Sequence, residues 1–227
     1  MQIISHPSPN FGDRLGGHRP ELIVLHYTAM TDLGKTLARL CDPRVQVSAH
    51  YLITKGGAIY HLVDEAKRAW HAGQGQWGGR GDVNSRSIGI ELENSGFEPF
   101  SAPQMQALTL LLIAVQNRHA IAPKGVIGHS DMAPDRKSDP GACFDWCALA
   151  MRGLSVWPSL YVKQVPVAKF FGAARAFGYS VDDEAQILSA FRLRFRPQAS
   201  GPLAFEDAAL AVDLAHRFAV DAPLKPA

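Results

Sequence analysis

Apolar positions along the chain fall into short runs and helical stripes that alternate. ELIVLHY, residues 21–27, is a nearly continuous apolar run, as expected of a strand covered on both faces. Residues 31–41 follow with Leu33, Leu37, Leu40 and Cys41 at helical spacing. AHYLIT and AIYHLV come next, separated by Lys55, Gly56 and Gly57, whose glycines permit the tight reversal of a hairpin. SIGIELE, residues 87–93, alternates with Ile88, Ile90 and Leu92 on one face and Gly89, Glu91 and Glu93 on the other. A long helix is expected from Ser101 to about His119, with Ser101 as N-cap, Pro103 in the first turn and Gln104 closing a capping box. Residues 124–128 read as one more brief strand. Strands alternating with helices, together with the hairpin, predict an α/β fold with a mixed central β-sheet flanked by helices.

The pattern changes after Trp157 and Pro158. From Pro166 three helical stripes remain: Val167, Phe170, Phe171, Ala174 and Phe177; Ala185, Leu188, Phe191 and Phe195; Leu210, Leu214 and Phe218. Two units are therefore expected, residues 1–157 and residues 158–227, the second a small three-helix domain whose Pro-rich tail APLKPA frays.

Composition narrows the class. With 47% hydrophobic and 19% charged residues, the chain can build a globular core. A net charge of +2, evenly spread, predicts no nucleic-acid partner, and no apolar run reaches the length of a membrane span. The start, MQIISHPSPNFGDR, lacks the pattern of a secretory leader. Cys41, Cys143 and Cys147 cannot all pair within one chain and contain no CxxC, so free thiols are expected. Both features favour the cytoplasm, with the periplasm the alternative if a leader has been removed. Oligomeric state is left open.

Candidate chemistry gathers at strand ends and in one loop. GHSDMAPDRKSDPG, residues 128–141, holds one His, three Asp and two Pro and reads as an ordered loop. His26 ends the first strand, His50 opens the second, and Glu91 and Glu93 share one face of a third. His26, His129 and Asp139 offer three nitrogen or oxygen ligands, the number a catalytic zinc takes while keeping a fourth position open. Alternation cannot choose between Glu91 and Glu93, and spacing alone cannot bring residues about a hundred apart into one site.

VLHYT, VSAHYLI, RAWHAG, SIGIELEN and GHSDMAPDRKSDPG, in this order, resemble the zinc-dependent N-acetylmuramoyl-L-alanine amidases of the AmpD/AmiD type. The likeness spans about residues 4–157. It implies an amidase-2 fold, zinc held by His26, His129 and Asp139, and peptidoglycan fragments as partners. It also implies Glu91 as the carboxylate that moves the proton, and Lys137 as the cation that stabilises the oxyanion. His50 falls at a family position near the metal and is given a structural or substrate-contacting role, while Trp70 and His71 are taken as walls of a substrate groove, with core packing the other reading of Trp70. Trp77 and Arg80 of the glycine-rich loop are expected to stack on a sugar and to meet a peptide carboxylate. AARAFGYSVDDEAQILSAFRLRFRP resembles a three-helix peptidoglycan-binding domain, although the turn after FRP is reduced to QASGP. Packing of that unit against the amidase is the other reading. For the whole chain, the alternative to an enzyme is a non-catalytic muropeptide-recognition module.

Overall fold

The computed structural model describes residues 2–159 and 165–220. Its strands are β1 (Ile3–Ser5), β2 (Phe11–Asp13), β3 (Leu22–Tyr27), β4 (Tyr51–Ile53), β5 (Ile59–His61), β6 (Lys67–Ala69), β7 (Ser87–Leu92) and β8 (Val126–Gly128). The helices are α1 (Leu33–Cys41), α2 (Val83–Arg86), α3 (Ala102–His119), α4 (His129–Met132), α5 (Trp146–Met151), α6 (Phe170–Phe177), α7 (Glu184–Phe195) and α8 (Phe205–Phe218). A 6-stranded sheet runs in the order β1-β5-β4-β7-β3-β8, and β2 pairs with β6 apart from it. β3 is parallel to both β7 and β8, while β4 and β5 form the expected antiparallel hairpin, so the sheet is mixed.

β3 explains the unbroken apolar run at residues 22–25. Ile23 and Leu25 pack with Ile88, Ile90 and the inner side of α3, whereas Leu22 and Val24 join a second cluster on the opposite face. That second cluster also contains Ile127, Met132, Phe170, Phe177, Tyr179, Phe191 and Leu214. The three helices expected from the sequence do form. Their apolar faces are continuous with the sheet's own core rather than closed on themselves, so the boundary expected at residues 157/158 falls within one apolar cluster. Residues 222–227, the tail expected to fray, lie outside the described residues.

Three local expectations change. Ser101 caps α3 by accepting from the Gln104 N–H, but the Gln104 side chain turns inward and donates to the carbonyls of Ile53 and Glu93 at 2.9 and 3.1 Å. Stitching two strand ends has displaced the capping box. Residues 123–125 form a 3-10 turn, leaving only Val126–Gly128 as strand. Finally, the loop at residues 128–141 opens with the single helical turn α4, closed by Asp131, whose carboxylate accepts the Gly128 N–H at 2.8 Å. Among the described residues, no helix is long and apolar enough to cross a membrane.

Candidate active site

Strand register sets the geometry. In the parallel pairing of β3 with β7, His26 lies directly beside Glu91, and Leu25 lies beside Gly128, the residue before His129. A chain reversal through residues 133–138 brings Asp139 back, and the Ser130 N–H donates to the Asp139 carbonyl at 2.9 Å. The Nδ1 atoms of His26 and His129 are 2.9 Å apart, and Asp139 Oδ2 is 2.9 and 3.0 Å from them. The structure thus brings together three side chains that lie far apart in sequence, all buried.

Hydrogen-bond accounting assigns the tautomers. His129 Nε2 donates to the Ala72 carbonyl at 3.0 Å, which leaves a lone pair on Nδ1. The Ser87 hydroxyl donates to the Val83 carbonyl at 2.6 Å and therefore accepts from His71 Nε2 at 3.1 Å. His71 Nδ1 is then an acceptor, and His26 Nε2 donates to it at 3.0 Å. His26 Nδ1 is left with a lone pair as well. Burial, then the neighbouring His129, pushes the His26 imidazole down to about 4, so it is neutral at pH 7. Asp139 Oδ2, an acceptor in the ionised carboxylate, faces both of these lone pairs. Three acceptors facing one another repel unless a cation lies between them. Two imidazoles and a carboxylate match the ligand set of a divalent ion such as zinc.

Glu91 Oε2 is buried without a hydrogen-bond partner among the described residues. Burial, reinforced by the nearby Asp139 charge, raises its proton affinity well above that of an ordinary carboxyl, opposed in part by Lys137. Glu93 is engaged elsewhere, accepting the Lys55 N–H at 3.0 Å. The structure therefore separates two glutamates that alternation could not. His26, His71, Glu91, His129, Asp139 and Lys137 all line one cleft of about 400 Å³, together with Tyr27, Met30, Arg39 and Arg136. A larger groove of about 760 Å³ between α3 and α5 contains none of the candidate residues.

Four of the expected substrate contacts are not where the sequence put them. His50 is fully buried. Its Nδ1 accepts the Gly89 N–H at 2.9 Å and its Nε2 donates to the Lys67 carbonyl at 3.1 Å, so it fastens strands together. Trp70 does not line the cleft; its indole nitrogen lies against Gly12 of β2. Trp77 is 2% exposed and packs edge-on against Phe177 and Tyr179, which leaves no face for a sugar. Arg80 pairs with Glu21 at 2.7 Å, beside the end of β3 remote from His26. His71 does line the cleft, and it also supports His26 from behind. No periodicity could have revealed this, because the contact depends on Gly89: a Cβ there would stand 2.4 Å from the His71 ring. Arg39, outside every motif, and Arg136, inside the 128–141 stretch but given no role there, are lining residues that sequence reasoning missed.

The sequence profile described as N-acetylmuramoyl-L-alanine amidase matches residues 16–142, more than half the chain. The chain belongs to this amidase family. Among its relatives, the amidase AmiD of Escherichia coli K12 is 35% identical across 89% of this chain and 85% of its own length. The 1,6-anhydro-N-acetylmuramyl-L-alanine amidase AmpD of the same organism is 36% identical but covers only 62% of this chain. Among solved structures, E. coli AmiD in complex with anhydro-N-acetylmuramic acid-L-Ala-D-γ-Glu-L-Lys superposes with a TM-score of 0.80. It has 32% identity and covers 92% of this chain and 98% of that one. AmpDh3 of Pseudomonas aeruginosa, with anhydromuramic pentapeptide, gives 0.82 at 32% identity over 91% and 95%. The amidase likeness to AmiD and AmpDh3 thus runs through the three-helix unit, whereas AmpD aligns with a shorter part.

Proposed function

We propose that this amidase is zinc-dependent and hydrolyses the amide between the lactyl carbonyl of N-acetylmuramic acid, or its 1,6-anhydro form, and L-Ala of the stem peptide. The observation that carries the reading is the cluster of three convergent acceptors, His26, His129 and Asp139, beside the unpartnered carboxylate of Glu91. The bound compounds named for the AmiD and AmpDh3 structures favour anhydro-muropeptides as the substrate class.

Zinc held by those three residues would polarise the scissile carbonyl and lower the pKa of a water toward neutrality. Glu91, neighbour to His26 across the strand pair, takes a proton from the attacking water and delivers it to the nitrogen of the leaving amine. Its raised proton affinity favours the uptake and lets the carboxyl hold the proton between the two steps. Lys137 lines the same cleft and supplies positive charge against the developing oxyanion. His71 and Ser87 keep the His26 ring in the tautomer whose Nδ1 faces the cleft.

The test pairs elemental analysis of the purified protein with mass spectrometry of products from an anhydro-muropeptide. Glu91→Gln is expected to keep its zinc while turnover falls about 10²–10⁴-fold, the usual size of a general acid–base contribution. A Glu91→Gln protein as active as the parent removes the proton-transfer role. Zinc-loaded parent that binds muropeptide without cutting it would instead make the chain a recognition module.

A further inference from the structure

α4 is four residues long, too short to hold its own shape, yet it presents His129 and anchors the backbone of Asp139 through Ser130. What fixes it is Asp131. This carboxylate is 1% exposed and sits two residues beyond His129. Oδ2 accepts the Gly128 N–H at 2.8 Å and Arg194 Nη1 at 2.6 Å, while Oδ1 accepts the Tyr179 hydroxyl at 2.7 Å. Both outside partners come from the three-helix unit, Arg194 from α7 and Tyr179 from the α6–α7 connection. Arg194 is itself buried. It also donates to the Val126 carbonyl of β8 at 3.0 Å and to Ser155 Oγ at 3.2 Å, and its guanidinium lies 4.2 Å over the Trp146 ring. Trp77 backs the Tyr179 ring edge-on at 5.3 Å.

We propose that the three-helix unit is a working part of the metal centre: Tyr179 and Arg194 are positioning residues that fix, through Asp131, the turn presenting His129 and anchoring Asp139. The proposal rests on the reading of those two residues as zinc ligands. Only bidentate use of both Asp131 oxygens satisfies a carboxylate this deeply buried, and the satisfied state has a single orientation. Loss of the Tyr179 hydroxyl frees one oxygen and lets α4 tilt. Two of the three ligands move with it, because Ser130 ties Asp139 to the same turn.

The experiment measures zinc affinity by chelator competition on the full chain, with circular dichroism to establish that each variant is folded, and kcat and KM on an anhydro-muropeptide. Tyr179→Phe keeps the ring and its packing and removes only the hydroxyl; Arg194→Lys keeps the charge but not the paired donors. Phe177→Leu is the control, since it loosens the same interface without touching Asp131. The expectation is that Tyr179→Phe and Arg194→Lys bind zinc about 10–100-fold more weakly, the usual cost of losing an outer partner of a metal ligand. kcat should fall and KM hold, while Phe177→Leu stays within about twofold of the parent in zinc affinity. Parent-like zinc affinity in both Asp131-directed variants overturns the proposal, as does an equal loss in Phe177→Leu. A parent protein that takes up no zinc overturns the proposed function itself, and is distinguished by that fact from a failure of positioning alone.

Discussion

His26 Nδ1 and His129 Nδ1 face each other at 2.9 Å as two acceptors, each with its other ring nitrogen already donating into the protein. On the proposed zinc reading, removal of the ion leaves a repulsive contact in the core of the cleft. Chelation is expected to abolish turnover and lower the melting temperature, and equimolar zinc to restore both. At zinc a hundredfold above its Kd the stabilisation is about 2.7 kcal/mol. Calorimetry of chelated and reloaded protein checks this, and identical melting curves would count against the site.

If His26 is a zinc ligand as proposed, the hydrogen-bond chain from Val83 through Ser87 and His71 to His26 makes Ser87 a distant determinant of metal binding. Ser87→Ala leaves the His71 Nε2–H without its acceptor at a fully buried position, a loss of about 1–3 kcal/mol in stability. Zinc affinity should drop about tenfold as the His71 ring becomes free to change tautomer. Chelator competition and urea unfolding read the two effects separately. Unchanged zinc affinity would show that His71 needs no anchor.

At Gly89, adding one methyl group should act on the metal centre without altering any polar atom. A Cβ there meets the His71 ring at 2.4 Å, and that ring is pinned between His26 and Ser87. Gly89→Ala is expected to cost about 1–3 kcal/mol or more from overpacking and to weaken zinc binding together with stability. Thermal unfolding of the apo and zinc forms measures both; a variant with parent-like values would mean that the ring has room to retreat.

Acid stability should depend on Glu65. Burial raises its carboxyl, but hydrogen bonds from Arg118, Tyr51 and His119, with the Arg118 charge, outweigh this and hold it at about 2. Its folded value lies below the ordinary carboxyl value of about 4.3, so its contribution is complete above that pH and is lost as pH falls through about 2. Allowing for the half-exposed Arg118, the contribution is about 1–3 kcal/mol. Urea midpoints between pH 6 and pH 2.5 should fall more steeply for the parent than for Glu65→Gln. Parallel curves would assign the acid limb to other groups.

The elements were largely legible because their causes are local: β3 is an apolar run between two cores, and β7 alternates because α3 covers only one of its faces. The C-terminal helices were equally plain. What a linear pattern could not carry was the company each side chain keeps. Trp77 and Arg80 sit among the glycines that suggested a binding loop, yet the partners that absorb them lie far off in sequence, Phe177 and Tyr179 at 100 and 102 residues from Trp77 and Glu21 at 59 from Arg80. Gln104 stands where a capping box needs it and is drawn off by carbonyls from two strands. The convergence of His26, His129 and Asp139 was expected only through family likeness, since no rule of spacing relates them. Asp131, Tyr179 and Arg194 lie within the family-like stretches but gave no sign of meeting one another, because a buried three-residue contact between separate units has no periodicity.

His26 and Glu91 are neighbours across a parallel strand pair that is hydrogen-bonded along its length, so no opening or closing of loops can change their separation. On the proposed mechanism these two groups behave as a fixed anvil, and the substrate has to be brought to them. New preferences for sugar or stem peptide would then be written into the rim, at residues such as Met30 and Arg39.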